Sequence, residues 1–378
     1  MRIVWTDGSP ASVERLRAAL TDALAEGPAV LPLDPRNPAA ERVRDALSPG
    51  EPVEPGTAVV IPTSGSTGEP KGVLLSARAL HASARATHAR LGGPGRWLLA
   101  TPAHYVGGLQ VLVRSALAGH RPAVLDLSSG FDPGAFAEAA RTLTATEGPH
   151  YTALVPTQLS RLLDAGGGEA HRFAAIVLGG AALDDRLRAR AREAGLSIVS
   201  AYGMSETASG CVYDGVPLDG VRVRLGEGDR IELTGDVLAH GYRLRPDLTA
   251  EAFRDGWFRT SDVGRLRDGR LDVLGRADDV INTGGVKVPA ARVERVLTAH
   301  PGVAAACVVG LPDPEWGQLV AAAVVAGEVP PRAEELREAV RAELGGPGVP
   351  KRLVFVPELP LIGPGKVDRA AVRTTLLG

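Results

Sequence analysis

AVVIPTSGSTGEPKG, residues 58–72, joins a short apolar run to a loop of glycine and hydroxyl side chains. The apolar run predicts a buried strand, and a loop of this composition at the end of a strand suits a polyphosphate. Glycine lets backbone N–H groups approach phosphate oxygens, hydroxyls donate hydrogen bonds, and Lys71 supplies positive charge. Because Gly72 rather than Ser or Thr follows Lys71, the loop is not a Walker A motif. A flexible surface loop of small residues is the alternative interpretation of the composition alone.

Apolar runs and amphipathic stretches alternate on both sides of this loop. Short, nearly continuous apolar runs predict strands at 29–32, 58–62, 122–127, 152–155, 174–178 and 197–201. Apolar residues at helical spacing predict helices at 107–118, 133–146, 157–165 and 183–194. Buried strands that alternate with helices are typical of an α/β fold with mostly parallel sheets.

The pattern changes after residue 220. VRVRL, RIELTG and LDVLG alternate apolar with polar residues and are divided by turn residues, which predicts a small antiparallel β region. The section that follows predicts an α+β arrangement, with helices at 289–299 and 334–344 and strands at 303–309, 320–326 and 352–356. We therefore expect a large α/β domain followed by a smaller α+β domain.

Composition and charge exclude several classes of protein. The net charge of −2 gives no electrostatic reason to expect nucleic acid or an anionic membrane as a partner. The two cysteines, Cys211 and Cys307, lie far apart in sequence, which excludes a disulfide framework and a paired-cysteine metal site. No apolar stretch reaches the roughly 18 residues of a membrane span, and no signal-peptide core begins the chain, so we expect a cytoplasmic protein.

TSGSTGEPKG, residues 63–72, resembles the phosphate-loop signature of the acyl-adenylate-forming superfamily. This superfamily contains acyl-CoA synthetases, luciferases and peptide-synthetase adenylation domains. Further segments resemble its motifs in the same order: GGAA at 179–182, AYGMSET at 201–207, GWFRTSD at 256–262, GRADD at 275–279 and PGKVDR at 364–369. The phosphate-loop signature is highly specific, and the ordered matches that follow it are unlikely to be independent accidents.

The resemblance implies a site for ATP and Mg²⁺. The implied ATP-binding residues are Thr63, Ser64, Gly65, Ser66, Thr67, Gly68, Lys71, Gly180, Ala181, Ala201, Tyr202, Gly203, Ser205, Asp262 and Arg276. In this set, Tyr202 would lie near adenine, Ser205 would contact the α-phosphate, and Asp262 would accept hydrogen bonds from the ribose hydroxyls. Glu206 would hold Mg²⁺, since that cation prefers hard oxygen ligands shared with phosphates.

The resemblance also implies the reaction. A carboxylate would attack the α-phosphorus of ATP to form an acyl-AMP and release pyrophosphate, and coenzyme A would then displace AMP. Lys366 would bridge the carboxylate and the α-phosphate, and His104 and Glu206 complete the implied catalytic set. Asp278 would be the hinge between a large domain, 1–277, with a truncated N-terminal subdomain, and a mobile C-terminal domain, 278–378.

Two longer segments point to an acid substrate. PAHYVGGLQ at 102–110 and YGMSETASGCVYDG at 202–215 are similar to the compact o-succinylbenzoate–CoA ligases of actinobacterial menaquinone biosynthesis. That acid has two carboxylates and only one is activated, so its site requires a cation or hydrogen-bond donors for the other. In the adenine segment the chain departs from relatives that have an acidic residue, since Ala181 follows Gly180, and adenine recognition there must use backbone groups.

The candidate residues of the acid site are His104, Arg114, Ser209 and Gly210. A surface or salt-bridged arginine is the alternative interpretation of Arg114. For the whole chain, the alternatives are another aryl- or fatty-acid–CoA ligase, a stand-alone adenylation domain that loads a carrier protein, and a degenerate AMP-binding scaffold. We expect small-molecule partners and no nucleic acid, and a homo-oligomer is compatible with the sequence.

Overall fold

The structure is a computed structural model that describes residues 1–64, 70–361 and 367–377. The chain forms two compact units. Unit 1 comprises Met1–Ala182, Ala189–Val223 and Glu232–Arg259, and unit 2 comprises Leu183–Arg188, Arg224–Ile231 and Thr260–Gly378. The domain boundary and hinge expected at 277/278 stay a prediction.

Helices and strands alternate through the first part of the chain. In chain order they are β1 (Arg2–Trp5), α1 (Pro10–Leu24), β2 (Val30–Leu33), α2 (Ala40–Ala46), β3 (Val59–Ser64), β4 (Pro70–Leu75), α3 (Ala77–Leu91), β5 (Arg96–Leu99), α4 (Val106–Leu117), β6 (Ala123–Val124), α5 (Pro133–Thr144), β7 (His150–Leu154), α6 (Pro156–Asp164), β8 (Ala175–Leu178), α7 (Asp185–Glu193), β9 (Ile198–Met204), β10 (Ser209–Tyr213) and β11 (Val216–Pro217).

Strands dominate the second part. In chain order its elements are β12 (Arg222–Leu225), β13 (Arg230–Thr234), β14 (Gly241–Tyr242), α8 (Pro246–Ala252), β15 (Phe253–Arg254), β16 (Trp257–Arg267), β17 (Arg270–Arg276), β18 (Val280–Thr283), β19 (Val286–Pro289), α9 (Ala290–Ala299), β20 (Val303–Asp313), β21 (Gly317–Ala326), α10 (Ala333–Leu344), β22 (Arg352–Phe355) and α11 (Arg369–Leu377). Among the described residues, no helix combines the length and the apolar character that a membrane span requires.

Two sheets form the framework of unit 1. The first has the order β1-β2-β3-β4-β14, in which β1, β2 and β3 are parallel and β4 and β14 are antiparallel to their neighbours. The second has the order β11-β10-β9-β8-β7-β5-β6, and the five strands from β9 to β6 are parallel. The carboxyl ends of adjacent parallel strands meet at one edge of a sheet, where ligands bind in open α/β folds. In the second sheet this edge carries the segments that lead to His104, Gly180 and Glu206.

Local sequence explains where the helices of unit 1 begin. Ser9, Ser76 and Asp132 precede α1, α3 and α5, and each side chain accepts a hydrogen bond from a backbone N–H in the first turn. Pro10 and Pro133 occupy first helical positions, where the missing N–H is not needed. These caps determine the residues at which α1, α3 and α5 begin.

Unit 2 contains its own sheet and core. Its strands have the order β19-β18-β21-β20, and β22 lies parallel to β21. Helices α9 and α10 pack against one side through buried residues such as Val293, Leu297 and Leu336. Helix α11 packs through Val372 and Leu376. This arrangement is the α+β section that the sequence predicts.

The fold class expected from the sequence is confirmed, and one strand is shorter than predicted. The run 122–127 forms a strand only at Ala123–Val124. Asp126 ends it, because its carboxylate accepts a hydrogen bond from the Ser128 N–H at 2.9 Å and so forms a turn.

Candidate active site

The phosphate loop connects two antiparallel strands of unit 1. Strands β3 and β4 pair so that Thr63 lies opposite Lys71. The Thr63 hydroxyl donates a hydrogen bond to the Lys71 carbonyl oxygen at 3.4 Å. The intervening residues Gly65, Ser66, Thr67 and Gly68 lie outside the described residues, and their phosphate contacts stay predictions.

Tyr242 connects the phosphate-loop lysine to the predicted Mg²⁺ ligand. The Lys71 Nζ lies over the Tyr242 ring, 5.4 Å from its centroid. The Tyr242 hydroxyl donates a hydrogen bond to Glu206 Oε1 at 2.9 Å. Burial raises the pKa of the Tyr242 hydroxyl, and the neighbouring Glu206 carboxylate raises it further, so the hydroxyl keeps its proton. No motif or spacing in the sequence marked Tyr242.

A strained turn presents Glu206. It follows β9 in a 3₁₀ turn, Ser205–Thr207, and the next two residues have left-handed backbone angles, with φ of 50° at Ala208 and 100° at Ser209. The Thr207 hydroxyl accepts a hydrogen bond from the Met204 N–H at 2.9 Å and lies 2.7 Å from the Ser209 carbonyl oxygen. Strain of this kind persists where surrounding contacts hold it, and it is common at functional sites.

Gly203 allows this turn to fold back on β9. A Cβ at Gly203 would lie 2.2 Å from the Ser209 carbonyl oxygen, so no other residue fits. Strands β9 and β10 pair there, with Gly210 opposite Gly203 and Ser209 opposite Met204. The structure therefore brings Ser209 and Gly210, which were candidates for the acid site, next to the segment that carries Ser205 and Glu206.

The predicted adenine segments lie beside each other. Gly180 follows β8 with a φ of 84°, a backbone conformation that favours glycine, and Ala181 comes after it. A Cβ at Gly179 would lie 3.4 Å from the Ala201 carbonyl oxygen, which places this segment against β9. Tyr202, half-buried, is the next residue of that strand. Backbone groups and an aromatic ring are thus available within one small region of unit 1.

The residues around Glu206 suit a magnesium ion that is held mainly by a nucleotide. In the described part of the chain, no group of three or more His, Cys, Asp or Glu side chains could hold a metal ion. Mg²⁺ commonly takes one or two protein carboxylates together with substrate phosphates and water. One oriented carboxylate would suit Mg²⁺ bound to ATP, and the role of Glu206 as the metal ligand stays a prediction.

His104 is an uncharged imidazole near a carboxylate. Burial lowers the pKa of His104 from 6.5 to about 4, with Arg36 lowering it further and Asp34 opposing the shift. Arg36 and Asp34 form an ion pair of 2.8 Å after β2. The Tyr105 ring centroid lies 4.2 Å from that of His104. The sequence pointed to His104 but to neither Asp34 nor Arg36, although Asp34 lies two residues after the predicted strand 29–32.

The pH dependence of activity should show no ionisation of His104 near neutral pH. Its pKa of about 4 leaves the ring neutral throughout the neutral range, whereas an ordinary histidine would titrate near 6.5. We expect His104→Gln to lower the rate of pyrophosphate release without changing the shape of the profile between about pH 6 and about pH 8. An acid limb near pH 6.5 that is present in the wild type and absent from the variant would contradict this.

Arg114 is a buried cation without a hydrogen-bond partner on two of its nitrogens. Its side chain on α4 is 1% exposed, and its guanidinium lies over the Trp97 ring, 5.0 Å from the centroid. Its Nε and Nη2 atoms have no hydrogen-bond partner within the described residues. Burial lowers the pKa of Arg114, and the neighbouring Tyr213 opposes that shift. The alternative of a surface or salt-bridged arginine is wrong, because this side chain is buried and pairs with no described carboxylate.

Other buried polar atoms accompany Arg114. Gln110, one turn earlier on α4, donates to the Ala208 carbonyl oxygen at 2.9 Å, while its Oε1 has no partner in the described ranges. The hydroxyls of Thr101 and Ser115 are likewise buried and unpaired there. Native interiors contain few such atoms, and each calls for an explanation such as a bound ligand or water.

The predicted ribose residues belong to unit 2, where they lie close together. Asp262 and Arg276 face each other across the β16–β17 pair. The Asp262 N–H donates to the Thr260 hydroxyl at 3.0 Å, which fixes the strand there. Arg276 Nη2 lies 3.2 Å from a carboxylate oxygen of the predicted hinge residue, Asp278.

Lys366, the predicted catalytic lysine, lies outside the described residues. Arg369, three positions later, is held at the start of α11 by two carboxylates, with 3.1 Å to Asp279 and 2.7 Å to Glu294. It also donates to the Val308 carbonyl oxygen at 2.7 Å. The chain just after Lys366 is therefore fixed to the residue that follows Asp278.

Both cysteines are unsuited to act as nucleophiles. Cys211 and Cys307 are buried, and burial raises the pKa of each thiol to about 12. Since the thiolate is the reactive form, neither side chain can serve as a covalent acyl carrier at neutral pH.

Comparisons with known proteins show the family of this chain. The model of the AMP-binding enzyme family matches residues 6–234, and that of the AMP-binding enzyme C-terminal domain matches residues 292–366. A protein described as a probable 2-succinylbenzoate–CoA ligase from Mycobacterium tuberculosis is 46% identical over 341 residues, which cover 88% of each chain.

Solved structures show the same fold along nearly the whole chain. An amide bond synthetase from Marinactinospora thermotolerans superposes with a TM-score of 0.86 and 27% identity, covering 99% of this chain and 89% of that one. An o-succinylbenzoate–CoA synthetase from Bacillus subtilis, in complex with its acyl-adenylate intermediate, has a TM-score of 0.77 and 25% identity, covering 98% and 78%. The resemblance read from the sequence motifs is confirmed: the chain belongs to the AMP-binding enzyme family.

Proposed function

We propose that this protein is an AMP-forming acid–CoA ligase whose acid substrate is o-succinylbenzoate, as in menaquinone biosynthesis. Its substrates would be ATP, the acid and coenzyme A, its metal ion Mg²⁺, and its location the cytoplasm. The 46% identical relative described as a probable 2-succinylbenzoate–CoA ligase supports this choice of acid. So does Arg114 on α4, a buried cation with two nitrogens that have no described hydrogen-bond partner.

The observation that carries the choice of acid is Arg114. A buried guanidinium without a counter-charge destabilises the protein, and an anion that reaches it would recover that free energy as binding. An aryl or fatty acid with one carboxylate would present that group to ATP and leave Arg114 unpaired. o-Succinylbenzoate has a second carboxylate on its ring, which suits the guanidinium while the aliphatic carboxylate reacts.

The first half-reaction joins the acid to AMP. An oxygen of the aliphatic carboxylate attacks the α-phosphorus, the bond from that phosphorus to the bridging oxygen breaks, and pyrophosphate leaves. Lys71 and the phosphate loop would hold the β- and γ-phosphates, and Ser205 would contact the α-phosphate. Mg²⁺, when bound at Glu206, supplies positive charge that offsets the charge of the phosphates. Lys366 would act at the reacting carboxylate and α-phosphate.

The second half-reaction forms the thioester. The sulfur of coenzyme A attacks the acyl carbon, the acyl–oxygen bond breaks, and AMP leaves. We propose that the C-terminal domain, 278–378, turns about Asp278 between the two steps, which would remove Lys366 after adenylation. No cysteine of this chain takes part, in keeping with the raised pKa of Cys211 and Cys307.

The test of this function is a substrate panel with mass detection of the thioester. Purified protein would receive ATP, Mg²⁺, coenzyme A and one acid: o-succinylbenzoate, benzoylpropionate, ferulate, benzoate or octanoate. Benzoylpropionate is the matched control, because it is o-succinylbenzoate without the ring carboxylate. We expect kcat/KM for o-succinylbenzoate to exceed that for benzoylpropionate by about thirtyfold. Equal use of the two acids would refute the assignment of the substrate.

One alternative differs in the acyl acceptor. The amide bond synthetase with a TM-score of 0.86 indicates that the same fold can serve a protein named for amide formation. The same assay with an amine in place of coenzyme A separates these functions. Amide formation that is faster than thioester formation would favour the amide synthetase, and acyl-AMP without reaction with coenzyme A would favour a carrier-loading adenylation domain.

A further inference from the structure

We propose that Tyr242 is a positioning residue for nucleotide and metal binding. Its hydroxyl would fix the Glu206 carboxylate, and its ring would support the Lys71 ammonium, so that both charges are directed to the ATP phosphates and not to each other. This inference rests on the proposed function, in which Glu206 and Lys71 bind Mg²⁺ and phosphate. It assigns a role to a residue outside the motifs that identified the family.

One side chain contacts both charged groups. The Tyr242 hydroxyl donates to Glu206 Oε1 at 2.9 Å, and the Lys71 Nζ lies 5.4 Å from the centroid of the same ring. The phenol therefore contacts a carboxylate through its hydroxyl and an ammonium through its ring. A direct ion pair between Lys71 and Glu206 would neutralise both groups before ATP binds. The contact of each group with the phenol is weaker than that ion pair would be. ATP and Mg²⁺ can therefore replace or supplement the contacts with the phenol.

Several contacts other than the one with Glu206 hold Tyr242 in place. It is 7% exposed, and it pairs with Val73 where β14 meets β4, two residues after Lys71. Its N–H donates to the Thr249 hydroxyl at 2.9 Å, and its ring lies 5.8 Å from that of Phe253. Strand pairing, a side-chain hydrogen bond and ring packing thus fix the phenol independently of Glu206.

The next residue, Arg243, anchors the same strand. It is 3% exposed, and its nitrogens donate to oxygens of a single segment of the chain. These acceptors, at 2.6 to 3.2 Å, belong to Leu47, Ser48, Glu51, Pro52 and Glu54. A side chain held this completely keeps β14 in place.

The segment that carries Tyr242 also holds the backbone of Glu206. The Ala239 N–H donates to the Glu206 carbonyl oxygen at 2.8 Å. Glu206 is therefore held at its backbone by Ala239 and at its carboxylate by Tyr242. Two contacts from one segment limit the rotamers of Glu206, and preorganised ligands bind a metal ion at a smaller entropic cost.

Tyr242→Phe tests the hydroxyl alone, because the ring and its packing remain. The measurement is isothermal titration calorimetry with ATP in Mg²⁺, ATP in EDTA, and AMP, all without acid. We expect the dissociation constant for MgATP to rise about tenfold in the variant, whereas those for AMP and metal-free ATP change less than about twofold. In pyrophosphate release, KM for MgATP should rise more than kcat falls.

Tyr151→Phe is the matched control. Tyr151 is also buried, and its hydroxyl also has partners, the carbonyl oxygens of Leu91 and Gly93 at 3.0 and 3.2 Å. It takes no part in the proposed site, so its loss should leave all three dissociation constants unchanged. An equal weakening of MgATP and AMP binding by Tyr242→Phe would indicate a general structural role and overturn the proposal.

A double-mutant cycle with Glu206→Gln gives a second criterion. If Tyr242 acts through Glu206, adding Tyr242→Phe to Glu206→Gln should change MgATP affinity by less than about twofold. Additive losses would overturn the proposal. Absence of ATP binding by the wild type would refute the proposed function together with this inference, whereas normal MgATP binding by Tyr242→Phe would refute this inference alone.

Discussion

Lys366→Ala should reduce acyl-AMP formation by about a thousandfold and leave thioester formation from supplied acyl-AMP within about threefold of the wild type. The reason is the charge at the reacting centre. An anionic carboxylate attacks a phosphorus whose oxygens are also anionic, so a cation at that point stabilises the transition state of the first step. In the second step a thiol attacks a neutral acyl carbon, and the lysine is not required there.

The two half-reactions can be measured separately. Exchange of labelled pyrophosphate into ATP reports the first, and synthetic acyl-AMP mixed with coenzyme A reports the second. Lys351→Ala is the matched control, since it removes another lysine of unit 2, whose Nζ lies 5.0 Å from the Trp316 ring centroid. It should leave pyrophosphate exchange unchanged. Equal loss of both half-reactions in Lys366→Ala would show that Lys366 is not specific to adenylation.

The surroundings of Arg369 give a structural reason for a selective effect. Arg369 joins the start of α11 to Asp279 and Glu294 within unit 2. These contacts involve none of the atoms of Lys366, so truncation at Lys366 leaves the anchor of the neighbouring helix intact. We therefore expect the variant to fold normally, and its loss of adenylation would reflect chemistry.

The sequence predicted the strands that are continuous apolar runs and the helices whose apolar residues recur at helical spacing. The phosphate-loop strand and most of the parallel strands are within a few residues of their predicted positions, because continuous apolar runs report burial on both faces. The antiparallel return strand β4 was not predicted, since Pro70, Lys71 and Gly72 were assigned to the phosphate loop. Pairing with β3 and with β14 makes this segment a strand, and pairing is a property that local composition does not encode.

The same distinction holds for the candidate site. Residues in local motifs were predicted, whereas residues whose role depends on contacts made by folding were missed. Motifs identified Lys71 and Glu206, because each occurs in a recognisable local pattern, whereas Arg114 was a candidate only from its position in the predicted helix after His104. Tyr242 contacts two of the motifs but belongs to neither, and it meets Glu206 across 36 residues of sequence. The neutrality of His104 likewise depends on burial, which lowers its pKa with a further contribution from Arg36 and against the effect of Asp34, and folding alone brings these groups together.

Arg114→Met should lower kcat/KM for o-succinylbenzoate by about thirtyfold, equivalent to about 2 kcal/mol, and change kcat/KM for benzoylpropionate by less than about threefold. Only the first acid has the ring carboxylate that the guanidinium would pair with. The same variant should keep or increase the free energy of unfolding in the absence of ligand. Burial of an unpaired cation costs more than the contact with Trp97 returns, and methionine fills the same space without charge.

Arg243→Met is the contrasting control for stability. Arg243 is also a buried arginine of unit 1, but its nitrogens have carbonyl and carboxylate partners. Its removal leaves those acceptors unpaired, so we expect the free energy of unfolding to fall by about 3 kcal/mol. Denaturant titration should therefore show a lower free energy of unfolding for Arg243→Met and an equal or higher one for Arg114→Met.

The two measurements on Arg114→Met separate a ligand-binding cation from a structural one. A structural arginine would lower the free energy of unfolding when replaced, and would affect both acids equally through the altered fold. A cation that binds the ring carboxylate would leave the fold intact and discriminate between the two acids. Loss of stability together with equal loss of activity on o-succinylbenzoate and benzoylpropionate would therefore remove Arg114 from the acid site, and with it the main structural argument for a dicarboxylic substrate.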